Sequence, residues 1–333
     1  MSNNKYENKE ATRKLKAKFG GNVKLPSNVQ FVIENNEKEC CRIKLNPQKV
    51  QTENMQTNAN AFEAWAVALY IALNENGIII LDVDGEFAPM EYEQNGHWGR
   101  FLYRALRFSE QYEWLILSDK VEVQVNKFKE YLDSNIFTNN LAEGEAGVKE
   151  EHNNENVVES IFAENEEIQK KFDFFAGNKV YRQLPVGLFR CEGETCKYSK
   201  ERMTFTGGKS AIDLWTWNGD EFRVIELKTK NVMMGIITEI FFYANYMYDF
   251  LVRKDGKFIL HEPSNISEKN RGYSDIYKHR EDLKKICGIT LADEYHRILK
   301  DDGVLRVLNE GRLKDGLSYV KAEYTYALYI DKK

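Results

Sequence analysis

Residues 211–230 read AIDLWTWNGDEFRVIELKTK, two alternating runs of large apolar residues broken at Asn218-Gly219. This pattern is a strong short-range signal for an antiparallel hairpin. A two-residue type I′ turn at Asn218-Gly219 would pair Trp217 with Asp220, Trp215 with Phe222 and Asp213 with Val224. Opposed residues share a face of a sheet, as do residues two apart on one strand. Asp213, Glu226 and Lys228 are therefore expected on one side, with Asp213 and Glu226 diagonal neighbours roughly 7–8 Å apart at the backbone. One extra loop residue would move Asp213 to the other face. Charged groups in such apolar company are normally paired, hydrogen-bonded or bound to a metal.

Two converging carboxylates repel each other, and a hard divalent cation such as Mg²⁺ relieves that repulsion with oxygen ligands. A lysine beside them can orient or deprotonate a water and stabilise charge developing on a phosphate. Asp213 followed after a hairpin by Glu226-Leu227-Lys228 resembles the bipartite signature of the PD-(D/E)xK nuclease superfamily, which includes many restriction endonucleases and RecB-type nucleases. The expected element order over about residues 155–262 is also similar to its αβββαβ core: helix, strand, strand with Asp, strand with Glu-x-Lys, helix. Asp255-Gly256-Lys257 and Asp282-Leu283-Lys284 match the tripeptide by chance. Glu226 differs from them in its apolar strand and its facing Asp. Ala211-Ile212 stands where the fuller pattern has a proline.

The resemblance implies a restriction-endonuclease-like fold and a metal-dependent phosphodiesterase using Mg²⁺ or Mn²⁺, with DNA a better candidate substrate than RNA and a role in defence or repair. Asp213 and Glu226 would bind the metal, with the Leu227 carbonyl as a third ligand, and Lys228 would be the catalytic lysine. Glu239 and Tyr243, four apart on the following helix, are similar to the Gln-x-x-x-Tyr element of RecB-type nucleases with Glu for Gln; the alternative is a packed Tyr243 and a capping or solvated Glu239. Related nucleases often supply another carboxylate from the first helix. Glu159 is the candidate there, bordering the stripe of Val158, Ile161, Phe162 and Ile168, while Glu155 and Glu166 are read as solvated face. Lys197, Lys200, Arg202 and Lys209, with Gly207-Gly208, suit either a phosphate-contacting loop or a solvated hairpin tip. The five histidines have no ligand spacing.

The 333 residues suit about two domains. The expected division is a basic flexible tail (1–24), an N-terminal α/β domain of unknown role (25–138), an acidic linker (139–154) and the nuclease-like domain (155–333). Within the last, SDIYKHREDLKKIC and LADEYHRIL read as helices, and GVLRVLNE and SYVKAEYTYALYID as strands. Asp82-Val83-Asp84-Gly85 reads as a turn after a strand. No run of about 18 apolar residues predicts a membrane span and the N-terminus lacks an apolar signal core, so the expectation is cytoplasmic. Five cysteines argue against a disulfide framework; Cys191 and Cys196 are expected as separate thiols. The formal net charge of −5 neither announces nor excludes nucleic acid as partner.

Two rivals remain. One is a catalytically inactive nuclease-fold module that binds nucleic acid or protein. The other is a different phosphoester hydrolase, which lacks support in the absence of a GxxxxGK[ST] loop. A homodimer, and an activating ligand or partner acting through the N-terminal domain, are left open.

Overall fold

The computed structural model describes residues 8–35, 38–58, 60–140, 154–175, 179–192, 196, 199–263 and 271–325. Among these the chain is a mixed α/β structure with two sheets and ten α-helices. None of the described helices is long and apolar enough to cross a membrane. The chain divides into two compact units, and the division is not contiguous. The first comprises Met1–Ser134, Met233–Glu239 and Tyr295–Leu313; the second comprises Asn135–Val232, Ile240–Glu294 and Lys314–Lys333. Two segments of the stretch expected as one domain over 155–333 thus group with the first unit.

The first unit is built from α1 (Lys9–Phe19), β1 (Gln30–Asn35), β2 (Glu39–Leu45), α2 (Pro47–Thr52), α3 (Phe62–Ala72), β3 (Ile78–Val83), α4 (Gly96–Gln111), β4 (Leu115–Leu117) and α5 (Asp119–Ser134). Its sheet has the order β1-β2-β3-β4, antiparallel for the first pair and parallel thereafter. The expected flexible tail instead contains α1, which buries Ala11, Leu15 and Phe19 at helical spacing, exposes Lys9, Lys16 and Lys18 and pairs Lys14 with Glu39. In the core, the Phe62 ring meets Phe101 and Phe108 edge to face, each at 5.9 Å. The buried Arg104 guanidinium grips Glu63 at 2.6 and 2.8 Å and also donates to the Asn60 carbonyl. A Thr238 hydroxyl donates to the same Glu63 carboxylate.

The second unit contains β5 (Phe137–Asn139), α6 (Asn154–Glu164), α7 (Glu166–Gln169), β6 (Tyr181–Arg190), β7 (Met203–Asn218), β8 (Glu221–Lys228), α8 (Gly235–Leu251) from Ile240 on, β9 (Phe258–Ile259), α9 (Tyr273–His279) and β10 (Lys285–Ala292). The chain then forms α10 (Gly303–Asn309) in the first unit and closes with β11 (Leu317–Glu323). The seven strands run in the order β11-β10-β8-β7-β6-β5-β9. β8, β10 and β11 are parallel; β5 through β8 alternate in direction. β5 begins the unit inside what was expected to be domain and linker, and the stretch 141–153 lies outside the described residues. α6 and α7 cover one face of the sheet with Val158, Phe162 and Ile168 over Leu214, Ile225, Leu227, Cys287, Ile289 and Leu291. On α8, Phe242 and Tyr246 meet Phe205 of β7.

Two expected elements are corrected. KICGITLA, read partly as the end of a helix, is the buried parallel strand β10, and LADEYHRIL contains its end and a short helical turn rather than a helix. A strand buried on both faces is a continuous apolar run, so its sequence carries no period that separates it from a buried helix. GVLRVLNE, read as a strand, is α10, which buries Val304, Val307 and Leu308 at i, i+3 and i+4.

Candidate active site

The hairpin exists, with its turn moved one residue on. Asn218 pairs with Glu221, Trp217 with Phe222, Trp215 with Val224 and Leu214 with Ile225. The turn residues are Gly219 and Asp220, and only the glycine has a positive φ, at +60°. A type I′ turn needs positive φ at both central positions, which suits Asn-Gly better than Gly-Asp. Because the loop remains two residues long, every residue keeps its face. Continuing the register one step sets Asp213 directly level with Glu226, rather than with Val224.

The β7–β8 pairing ends at Leu214 and Ile225. The next residue of this pattern, Leu227, gives its backbone N–H to Asp213 Oδ2 at 2.8 Å. Leu227 itself is buried in the core cluster and pairs with Leu291 on β10. Glu226 is almost wholly buried, and its Oε1 accepts a hydrogen bond from Lys228 Nζ at 2.5 Å. Lys228 Nζ is also 3.6 Å from Glu155 Oε1 on α6. The end of β8 is pinned beyond this point: the Tyr324 hydroxyl donates to the Lys228 carbonyl at 3.2 Å, and it lies 2.6 Å from the Thr229 hydroxyl.

α6 supplies a fourth carboxylate. Glu159 Oε2 accepts from Arg182 at 3.3 Å and Gln183 at 3.2 Å, both on β6. Burial is the main cause that raises the Glu159 pKa, with the Arg182 charge and the Gln183 and Arg182 hydrogen bonds opposing it. Asp213 keeps some exposed surface, yet enclosure of its carboxylate is the largest cause that lifts its pKa well above the usual range. Lys228 opposes that rise, Glu159 and Glu155 add to it, and the Leu227 N–H opposes it again. Asp213, Glu155 and Glu159 therefore sense one another's charge beside one lysine. The donor set is of carboxylate oxygens, which fits a hard divalent cation. Among the described residues no group of three or more His, Cys, Asp or Glu side chains is drawn together at metal-ligating range.

The structure thus brings together Asp213, Glu226, Lys228 and Glu159. It adds Glu155, read from the sequence as solvated. The signal for Glu155 was its place one helical turn before Glu159, since residues four apart share a helix face. Glu239 and Tyr243 are both buried on α8, but Glu239 groups with the first unit and Tyr243 with the second. Of the basic residues, Lys200 and Arg202 lie in a short turn leading into β7, and Lys209 falls within β7. Arg202 sits 3.5 Å from Glu192, and Lys197 lies outside the described residues. Cys191 and Cys196, expected as separate thiols, are joined as a disulfide with Cα atoms 4.6 Å apart.

Comparison with protein-family models, with curated proteins and with solved structures returned no match to this chain.

Proposed function

We propose that the second unit is a metal-dependent nuclease of the PD-(D/E)xK type, hydrolysing phosphodiester bonds and preferring DNA. The observation that carries this reading is the level placement of Asp213 and Glu226 on adjacent antiparallel strands, with Lys228 two residues further on the same face and hydrogen-bonded to Glu226. The elements α6, β6, β7, β8 and α8, followed after β9 and α9 by β10 parallel to β8, support the same reading through their likeness to the αβββαβ core.

Asp213 and Glu226 would hold Mg²⁺ or Mn²⁺, with the Leu227 carbonyl and Glu159 as further oxygen donors. When bound, the cation supplies Lewis acidity toward a phosphoryl oxygen and lowers the pKa of a coordinated water. Lys228, held between Glu226 and Glu155, would orient the attacking water and stabilise negative charge gained by the phosphate. Burial of Asp213 beside other carboxylates makes its charged form costly without a cation, so cation binding and its deprotonation are coupled. In this reading the first unit recognises the target, a partner or a regulatory ligand, and a homodimer would suit double-strand cutting.

The test is cleavage of plasmid, linear and single-stranded DNA and of RNA with Mg²⁺, Mn²⁺ or EDTA. Wild type is run beside Asp213→Ala and Lys228→Ala, each checked for folding. Metal-dependent cutting absent in both variants supports the reading. Retained binding of nucleic acid without cutting under any condition favours the inactive binding module. Equal cutting by variants and wild type refutes the assignment of these residues.

A further inference from the structure

Arg182 and Gln183 are consecutive residues of β6, yet both donate to the same oxygen, Glu159 Oε2. In a regular strand neighbouring side chains point to opposite faces, so two neighbours cannot meet one atom. The backbone at Gln183 departs from strand geometry: its φ is +52°, the left-handed region that a non-glycine residue rarely enters. The β6–β7 ladder pairs Arg182 with Leu214 and Leu184 with Ile212, passing over Gln183 and Asp213, which lie level between those pairs. The Gln183 carbonyl accepts a hydrogen bond from Arg271 Nη1 at 3.0 Å. Arg182 Nη2 ties the clamp to α6 a second time, donating to the Asn156 carbonyl at 3.1 Å.

Left-handed backbone at such a residue is strained and persists where the surroundings over-determine it, often at functional sites. Here the distortion does one identifiable thing: it turns the Gln183 amide toward Glu159 at the row of the sheet that carries Asp213 and Glu226. We propose that Gln183 is a positioning residue that, with Arg182, aims the Glu159 carboxylate at the cation site formed by Asp213 and Glu226. The proposal rests on the nuclease reading and deepens it, since it assigns strain in β6 to the assembly of the ligand set.

The experiment measures Mn²⁺ affinity of the full chain by electron paramagnetic resonance, alongside thermal stability. The variants are Gln183→Gly, Gln183→Met, Glu159→Gln and Gln183→Gly with Glu159→Gln. Glycine removes the donor and relieves the backbone; methionine keeps the length and removes the donor alone. The expected result is Mn²⁺ affinity reduced about 10–100-fold in each Gln183 variant, the range for removing a group that orients a metal ligand. Gln183→Gly should be as thermostable as wild type or more so, and the double variant should lose little beyond Glu159→Gln, because both act through one carboxylate. Wild-type Mn²⁺ affinity in both Gln183 variants, with affinity reduced in Glu159→Gln, overturns the positioning role and leaves the nuclease reading intact. Absence of Mn²⁺ binding by folded wild type overturns the nuclease reading, and this assignment with it.

Discussion

Asp213 Oδ2 accepts the Leu227 N–H at 2.8 Å, so the side chain of one strand completes the backbone of the next where their ladder ends. This contact puts the aspartate between the two members of Glu226-x-Lys228 and gives it a structural role besides any catalytic one. Asp213→Asn keeps the shape of the acceptor and removes the charge. It should retain the fold while metal-dependent cleavage falls by at least about a hundredfold, beyond what loss of an outer ligand partner costs. Circular dichroism and single-turnover cleavage on the same preparation measure the two effects.

The raised pKa of Asp213 has a defined sign in stability. The fold favours the protonated acid, so this contribution is fully present below the ordinary aspartate value and is lost as pH rises through the higher folded-state value. Glu159 shifts in the same direction. In EDTA the melting temperature should therefore carry a component that declines with rising pH above the ordinary carboxylate range. Asp213→Asn should flatten that component, and Mg²⁺ should restore stability at the high-pH end. Thermal melts across about pH 4 to pH 8, with and without the ion, provide the comparison.

Lys228 and Glu226 form a buried pair, with side chains 7% and 3% exposed. Removing one partner leaves an uncompensated buried charge, which costs about 3–5 kcal/mol. Lys228→Ala should be destabilised by that order. Lys228→Met with Glu226→Gln, which removes both charges, should recover most of the stability and none of the cleavage. Urea denaturation of the three proteins separates stability from chemistry.

In the first unit, the Arg104 fork on Glu63 is at least as buried, at 2% and 0%. Arg104→Ala should cost about 3–5 kcal/mol. Arg104→Lys should recover only part of this, because an ammonium cannot reproduce the two contacts on Glu63 and the third on Asn60. Chemical denaturation gives the order wild type, lysine, alanine.

Gly272 precedes α9 with φ +80°, and a Cβ there would come within 2.4 Å of Trp215 and 2.5 Å of Tyr181. Those rings stack at 4.5 Å, and the Trp215 indole donates to the Arg271 carbonyl, so neither has an easy retreat. Gly272→Ala should destabilise by roughly 1–3 kcal/mol from overpacking, with backbone strain added. A melting temperature equal to that of wild type would show that the rings yield.

Much of this protein was legible in its sequence where one period repeats along one element. Alternation around Asn218-Gly219 specified a hairpin and put Asp213, Glu226 and Lys228 on one face, because side-chain direction in a strand depends only on residue parity and loop length. The helices α3, α4 and α8 were legible through their length instead, since each is buried almost all round. The exact pairing was not: either of two adjacent two-residue turns preserves parity, and the folded chain uses Gly219-Asp220, with the glycine taking the positive φ at the first central position, which brought Asp213 level with Glu226. Nor was β10 visible, since burial on both faces erases its period.

What only the tertiary structure decided are relations between distant segments. The sequence singled out Glu159 at the edge of the apolar stripe and left Glu155 on the solvated face; only the folded chain supplies Arg182 and Gln183 of β6 to the first and Lys228 of β8 to the second. Segments 233–239 and 295–313 join the first unit although they are separated from it along the chain by much of the second. Local pattern determines which face a side chain takes, because that depends on backbone geometry a few residues long. Which other face it meets depends on burial summed over the whole chain, and no single window of sequence contains that sum.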